Sequence, residues 1–552
     1  MIQREQPGPG PGPGPGSSAS DKLSEKLDHA PTRLGASSDT TSPQHTPTTP
    51  SPLPSSPSAP SPHPSSPSAP SPSATDHVDP YLVDWHAGDP RNPRNWSTPY
   101  KGFITFQLGM LALSASLGSS IIAPAESVIA STFGVSEELT VLAVSLYVLG
   151  FAFGPLLWAP VSEVYGRKVS MLPPLVALAL FSLGTAVAPD AATVFVTRFF
   201  GGVFGSAPVS NVSAALGDLY EPKARGIAVT FYAVCVVGGP TIGPVIGAAL
   251  TVHPRLGWRW TEYVEAIWVA TVTLMAFCLM PELYGPVLLK REARRRRRET
   301  GDDRWSHPHE AAKIRPSNIL TKHVSRPLTM FVTEPMVTSI AIYASFVYAL
   351  LYMTLEVFPY VYGRGPVLAH PYRFSPVLST LPFLGLFVGV FAAMLINLLH
   401  QPRYARAVAR NRGRAVPEAR LPPMLIGGAL FVIGLFWFGW TATDDHHWAI
   451  PTVATAFIGA GFNVIFQQCI NFLVDTYALY AASAVSANTF LRLPCSPPAC
   501  PLTPGPCSTT SAVGPACSIL GAVACLALPV PLLFMRYGAR LRRMSRFAPV
   551  ED

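Results

Sequence analysis

Apolar and polar positions along this chain are not interleaved as in an amphipathic surface helix or a half-buried strand. They are gathered into blocks. From Lys101 to Arg536, apolar segments of about twenty residues recur, separated by shorter stretches that carry most of the charge. A bilayer core about 30 Å thick takes roughly 20 helical residues to cross, so each block is long enough to span it. Spans fall near 103–124, 139–160, 170–188, 192–216, 227–250 and 263–281. After a charged break they resume near 330–353, 377–399, 422–441, 450–472, 477–494 and 515–534. The expected fold is an all-α membrane protein with twelve transmembrane helices in two six-helix halves, because a helix satisfies its own backbone in lipid.

The intervening stretches define the domains. Residues 1–76 are rich in Pro, Ser, Ala, Gly and Thr and lack the apolar surface that would offset ordering, so they read as a disordered cytosolic tail. The Ser-Pro and Thr-Pro pairs there could be phosphorylated; a solvated tail is the plainer reading. A juxtamembrane segment, 77–102, carries Asn92-Pro93-Arg94-Asn95-Trp96-Ser97, with Trp96 suited to the headgroup level. The N-terminal half occupies 103–281, a cytosolic linker 282–329, the C-terminal half 330–535 and a cytosolic tail 536–552. The first span is expected to act as an internal insertion signal, since no cleavable signal peptide is visible.

Charge sets the orientation. Arg167/Lys168, Lys223/Arg225, Arg291 to Arg298, Arg403 to Arg420 and Arg536 to Arg546 all follow even-numbered spans. Loops after odd-numbered spans hold Glu137/Glu138, Asp190 and Asp444/Asp445, with His253, Arg255, Arg364 and Arg373 as exceptions. The positive-inside rule therefore puts both termini in the cytosol. Of the 552 residues 49% are hydrophobic and 13% charged, against about 25% charged in soluble domains. The net charge of +8 sits in loops between apolar spans, which argues against nucleic acid and for anionic lipid. Eight cysteines show no metal or disulfide spacing. No Walker lysine motif or nucleophile elbow is present, so neither an enzyme nor an ATP-driven pump is expected, and no cofactor or metal.

Three motifs carry chemistry. Ala159-Pro160-Val161-Ser162-Glu163-Val164-Tyr165-Gly166-Arg167-Lys168 follows the second span. A carboxylate there (Glu163) can meet a cation or helix N-terminus of a neighbouring span, Gly166 permits a tight turn, and Arg167 and Lys168 hold the loop in the cytosol. Arg198 lies about two turns into the fourth span, ahead of Gly201-Gly202-x2-Gly205. A guanidinium at that depth faces a partner or a cavity, or else snorkels to the interface. In the fifth span Gly239, Gly243 and Gly247 give a smooth helix face and Pro244 a point of bending.

Together these motifs resemble the major facilitator superfamily, and specifically its fungal twelve-span drug:proton antiporters, which include polyamine exporters. The first is similar to the loop signature Gly-x3-Asp-Arg-x-Gly-Arg-Arg/Lys, with Ala159, Glu163 and Val164 as departures. Arg198 matches the span-4 motif whose Arg is implicated in proton coupling. The span-5 glycines match the antiporter motif, with Ala248 in place of its last Gly. Leu256 to Tyr263, Pro281 to Leu289 and Gly461 to Gln468 extend the likeness across about residues 90–492 and 513–547. The resemblance implies proton-linked export and leaves the substrate open.

Carboxylates within the membrane can exchange protons. Glu356, late in the seventh span, and Glu265 in the sixth are the candidates beside Arg198, with a structural ion pair the alternative for Glu356. Glu262 and Glu126 are expected at the interface, and Asp218 and Asp475 in structural pairs. Asn463, Gln467, Gln468 and Asn471 put amides along the tenth span, either lining the cavity or bonding between helices.

One segment fits none of this. Leu493 to Ala512 holds Pro497, Pro498, Pro501, Pro504 and Pro506, where a lipid-facing helix should continue. Read two bases on, one compatible coding sequence of Ser496–Ala512 gives Ala-Ala-Gly-Leu-Pro-Leu-Asp-Ala-Arg-Pro-Met-Phe-His-Asn-Leu-Gly. That resembles the family's usual end of span 11 and following loop. The expectation is a frameshift restored near Val513, and, as written, a short or irregular span 11; an in-frame transcript read of the written residues would sink the first.

The functional expectation is a secondary active transporter: a proton-coupled antiporter of small amphipathic or cationic compounds (drugs, polyamines or secondary metabolites). It would work as a monomer in the plasma membrane, or alternatively the vacuolar membrane. The alternatives are an uptake facilitator for a small solute and a non-transporting membrane sensor.

Overall fold

A computed structural model describes residues 81–86, 88–307, 325–363, 372–412, 414–477, 481–490, 513–543 and 545. Residues 1–76, taken above as a tail, and 491–512, taken above as out of frame, lie outside the described residues, as does the expected irregular end of span 11.

The N-terminal half contributes α1 (Thr98–Leu117), α2 (Leu142–Tyr165), α3 (Arg167–Ala186), α4 (Ala191–Leu219), α5 (Pro222–Val252) and α6 (Arg259–Leu279). The C-terminal half contributes α7 (Pro335–Tyr362), α8 (Leu381–Arg410), α9 (Pro422–Thr441), α10 (Ala449–Thr476), α11 (Ala481–Phe490, as far as described) and α12, which runs as Val513–Ala527 and Val530–Arg543. Among the described residues ten helices are long and apolar enough to cross a membrane by length and composition. The other two are α1, whose mean hydropathy is lowered chiefly by Lys101 and Gln107, and the described part of α11. All twelve helices of the bundle are thus accounted for.

Local chemistry sets where the helices begin. Asp190 accepts from the backbone N–H of Thr193 at 2.7 Å and caps α4. Pro222 and Pro422 open α5 and α9, where a missing N–H costs nothing. Gly166 joins α2 to α3 at φ +99°, a conformation side chains other than Gly rarely adopt.

Packing follows the small residues. α2 lies against α4 so closely that a Cβ on Gly202 would strike the Tyr147 backbone. α5 runs along α1 on one side and α8 on the other, and so joins the halves. α1 stops as a helix at Leu117, short of the expected 124, and continues through turns from Gly118 to Ile122.

At the end of the bundle that carries the arginine-rich loops, the basic end, residues 81–97 fold against the linker helix Gly285–Thr300. Val83, Leu289 and Ala293 form a small apolar core with Trp85 and Trp305 beside it, and Arg91 meets Glu292 at 2.7 Å.

Candidate transport site: a buried charge cluster beside an aromatic cavity

Arg198 does not snorkel. Only 2% of it is exposed, and every arm of its guanidinium is engaged. Nε donates to the Ala143 carbonyl of α2 at 3.0 Å, and one terminal nitrogen donates to the Gly118 carbonyl at the end of α1 at 2.6 Å. The other lies 3.4 Å from Glu262 and 3.8 Å from Glu265, both fully buried on α6. The spacing of three residues puts both carboxylates on one face of that helix. Underneath, the Tyr147 ring supports the guanidinium carbon at 4.4 Å while its hydroxyl donates to the Ala115 carbonyl at 2.8 Å.

Glu262, expected at the interface, is therefore part of the cluster; it reads as interfacial because it sits one turn from the start of α6. One positive charge faces two carboxylates. Glu262 Oε2 and both oxygens of Glu265 make no hydrogen bond within the protein. In surroundings this apolar the arrangement holds an excess negative charge unless a proton is bound, which is the chemistry of a reversible proton carrier. The structure places Glu265 beside Arg198, whereas the side chain of Glu356, whose backbone lies in α7, is outside the described residues.

Between the halves is a narrow cavity of about 90 Å³. Its walls include Ser116 of α1, Ser119 in the turn that follows it, Phe151 of α2 and Thr241 of α5 on one side. Opposite stand Tyr348 and Tyr352 of α7, with ring centres 4.6 Å apart, and Phe462 and Phe466 of α10, stacked at 5.7 Å. Such walls suit flat apolar groups with a few hydrogen-bonding atoms.

The amides of α10 stand behind Phe462 and Phe466. Gln467 accepts from Asn397 of α8 and donates to Thr230 of α5, both at 2.6 Å, and Gln468 donates to Asn397 at 2.6 Å. Asn463 and Asn471 are buried on the same helix. None of the four is among the side chains lining the cavity.

The span-5 glycines face the end of α1. A Cβ on Gly239 would meet the backbone of Ser116 and Leu117; on Gly243 and Gly247 it would meet Ser120 and Ile121. Pro244 lies within α5 between these contacts.

At the basic end Arg167 pairs with Asp218 of α4 at 2.8 Å and lies over the Tyr284 ring at 4.6 Å. The carboxylate at the start of α3 is that of Glu282, which accepts from the backbone N–H groups of Arg167 and Lys168 at 2.8 and 3.2 Å. Glu163 is half-buried at the end of α2 and acts on Arg167 through space. Lys168 donates to the Phe277 carbonyl at 2.8 Å. Across the halves Arg225 of α5 binds Asp475 of α10, which also takes Arg420 at 2.9 Å and Tyr404 at 2.7 Å. The partners of Asp475 and the role of Glu282 join residues far apart in sequence and have no one-dimensional signature.

Twelve helices in two halves, a cavity between them and a buried ionisable cluster define a secondary transporter. The sequence model of the Major Facilitator Superfamily matches residues 108–493. The chain belongs to that superfamily, whose members are transporters and not enzymes.

It is 35% identical to the "Major facilitator superfamily multidrug transporter FLU1" of Candida albicans over 85% of this chain and 76% of that one. It is 38% identical to the "Efflux pump bik6" of Gibberella fujikuroi, over 85% and 95%. Among solved structures it resembles the proton:xylose symporter XylE, with a TM-score of 0.57 at 17% identity over 80% of this chain and 96% of that one, a likeness of fold.

Proposed function

We propose that this protein is a proton-coupled antiporter that exports small amphipathic or cationic compounds, such as drugs, polyamines or secondary metabolites. It acts as a monomer in the plasma membrane with its basic end toward the cytosol. The observation that carries this reading is the pair of carboxylates, Glu262 and Glu265, held against one guanidinium, Arg198, beside the cavity. A proton bound at Glu265 removes the excess charge, and its release restores it. A ligand shifts a two-state equilibrium only through differential interaction with the two states, and a change of one buried charge supplies that difference. The names of the relatives, a multidrug transporter and an efflux pump, favour export over uptake. Aromatic walls and scattered hydroxyls fit amphipathic cargo. Glu356, one turn beyond Tyr352 on α7, is proposed as a second proton or cation site.

The test is flux in proteoliposomes with an imposed proton gradient. Glu265→Gln should reduce gradient-driven accumulation by about tenfold or more while leaving substrate counterflow, which needs no net proton movement. Undiminished gradient-driven flux in both Glu265→Gln and Arg198→Ala would overturn the reading.

A further inference from the structure

Three features described above converge on one short stretch of backbone. The carbonyl of Ala115 accepts from Tyr147 and the carbonyl of Gly118 accepts from Arg198, so the charge cluster grips α1 at two points one turn apart. Ser116 and Ser119, interleaved with those carbonyls, belong to the cavity wall. On the third side, Ser116 to Ile121 receive the glycine face of α5. This is also where α1 ceases to be a regular helix and runs on through turns.

Gly118 is needed for the arrangement. A Cβ there would strike a Glu265 carboxylate oxygen and the Tyr147 hydroxyl, so the absence of a side chain is what lets the acid lie against α1. Tyr147 has a second tie: its ring stacks on Phe151, another wall of the cavity, with centres 5.8 Å apart. The charged or titratable groups facing Glu265 are Arg198 from α4, Tyr147 from α2 and Glu262 from α6 itself. The described charges of α1, α3 and α5 lie at the opposite, basic end, as Lys101, Arg167, Lys168 and Arg225.

We propose that Ala115–Ile121 is the coupling hinge of the transporter, with Gly118 and Tyr147 as positioning residues. Resting on the proton-coupled reading above, it states how the proton site reaches the substrate. When Glu265 takes up a proton, the carboxylates hold Arg198 less strongly and its hydrogen bond to the Gly118 carbonyl strengthens. When the proton leaves, Arg198 is drawn back toward α6. The two states thus pull differently on one carbonyl, and the wall at Ser116 and Ser119 moves with it. The glycine face of α5 gives the hinge a smooth surface to move along, which ties the antiporter motif to the same event.

The experiment introduces Ser119→Cys into the full-length chain in proteoliposomes. Labelling by a small thiol reagent is compared with that of the parent at about pH 5.5 and about pH 8, after correction for thiolate fraction. We expect the corrected rate to change about threefold or more between the two, and Glu265→Gln in the same background to abolish that change. Ser116→Cys provides a second reporter should Ser119→Cys not accumulate.

Gly118→Ala should shift the pH midpoint of export with little change in substrate KM, whereas Gly102→Ala, in α1 with nothing within 4 Å, should change neither the midpoint nor KM. An unchanged pH response of labelling in Glu265→Gln, or pH-independent labelling in a protein whose export does depend on pH, would overturn the hinge and leave proton coupling standing. Loss of gradient-driven flux altogether in the parent would instead remove the reading on which the hinge rests.

Discussion

At the scale of single residues, the cluster sets unequal tasks for its acids. Glu262 is the nearer to Arg198 and shares a hydrogen bond with it; Glu265 is farther away and has both oxygens free of hydrogen bonds. Glu265 is therefore the acid whose charge is least compensated, and Glu262 the counter-ion of Arg198. Glu262→Gln should lower protein abundance more than Glu265→Gln does, because it unpairs the guanidinium. Fluorescence-detected size exclusion of the two variants checks the order. Arg198→Ala leaves two buried carboxylates facing each other, a defect that costs about 3–5 kcal/mol in comparable buried pairs. Gradient-driven export should be lost and the melting temperature should fall. A melting temperature equal to that of the parent would mean that the acids find other partners.

Among the elements, the spans were legible because hydropathy is one-dimensional: about twenty apolar residues in a row need no knowledge of neighbours. The end of α1 was not. Its change from helix to turn at Gly118 answers to Arg198, Tyr147 and the α5 glycines, all from other helices. For the same reason Arg198 could be singled out from its depth while Glu262 and Glu282 could not be assigned partners.

A second element, the linker helix Gly285–Thr300, gains a role in holding the segment before α1. The Arg91 guanidinium and backbone N–H hydrogen-bond to Asp89 and hold its carboxyl below the usual range. Burial works to raise Glu292, but its bonds to Arg91 and neighbouring arginines outweigh that and lower it. Both folded values lie below the unfolded ones, so this contribution is fully present above about pH 5 and is lost as pH falls below about pH 4. Arg91→Ala should speed hydrogen exchange in 285–300 relative to the parent at neutral pH. The difference between the two proteins should shrink as pH falls below the ordinary carboxylate range of about 4.

For the whole molecule, the basic ends of the two halves are built alike. Arg167 of α3 meets Asp218 of α4, and Arg420, in the turn just before α9, meets Asp475 of α10, at 2.8 and 2.9 Å. Only the second pair is shared across the halves, through Arg225. Arg225→Ala should bias the protein toward a state open at that end, raising the labelling of a cysteine placed at Thr230 by about tenfold if the bond contributes about 1.5 kcal/mol. Equal labelling in parent and variant would assign closure to other contacts.

The sharing has a kinetic consequence. When the halves part, Asp475 keeps Arg420 and Tyr404, so no acid is stranded in an apolar interior. Arg225, at 16% side-chain exposure, lies next to water that can take over its hydrogen bonds. Separation exchanges one partner for solvent and avoids the large desolvation barrier of breaking an isolated buried ion pair. The gate at the basic end can therefore open and reclose with the fold intact, because each half keeps its own carboxylate paired.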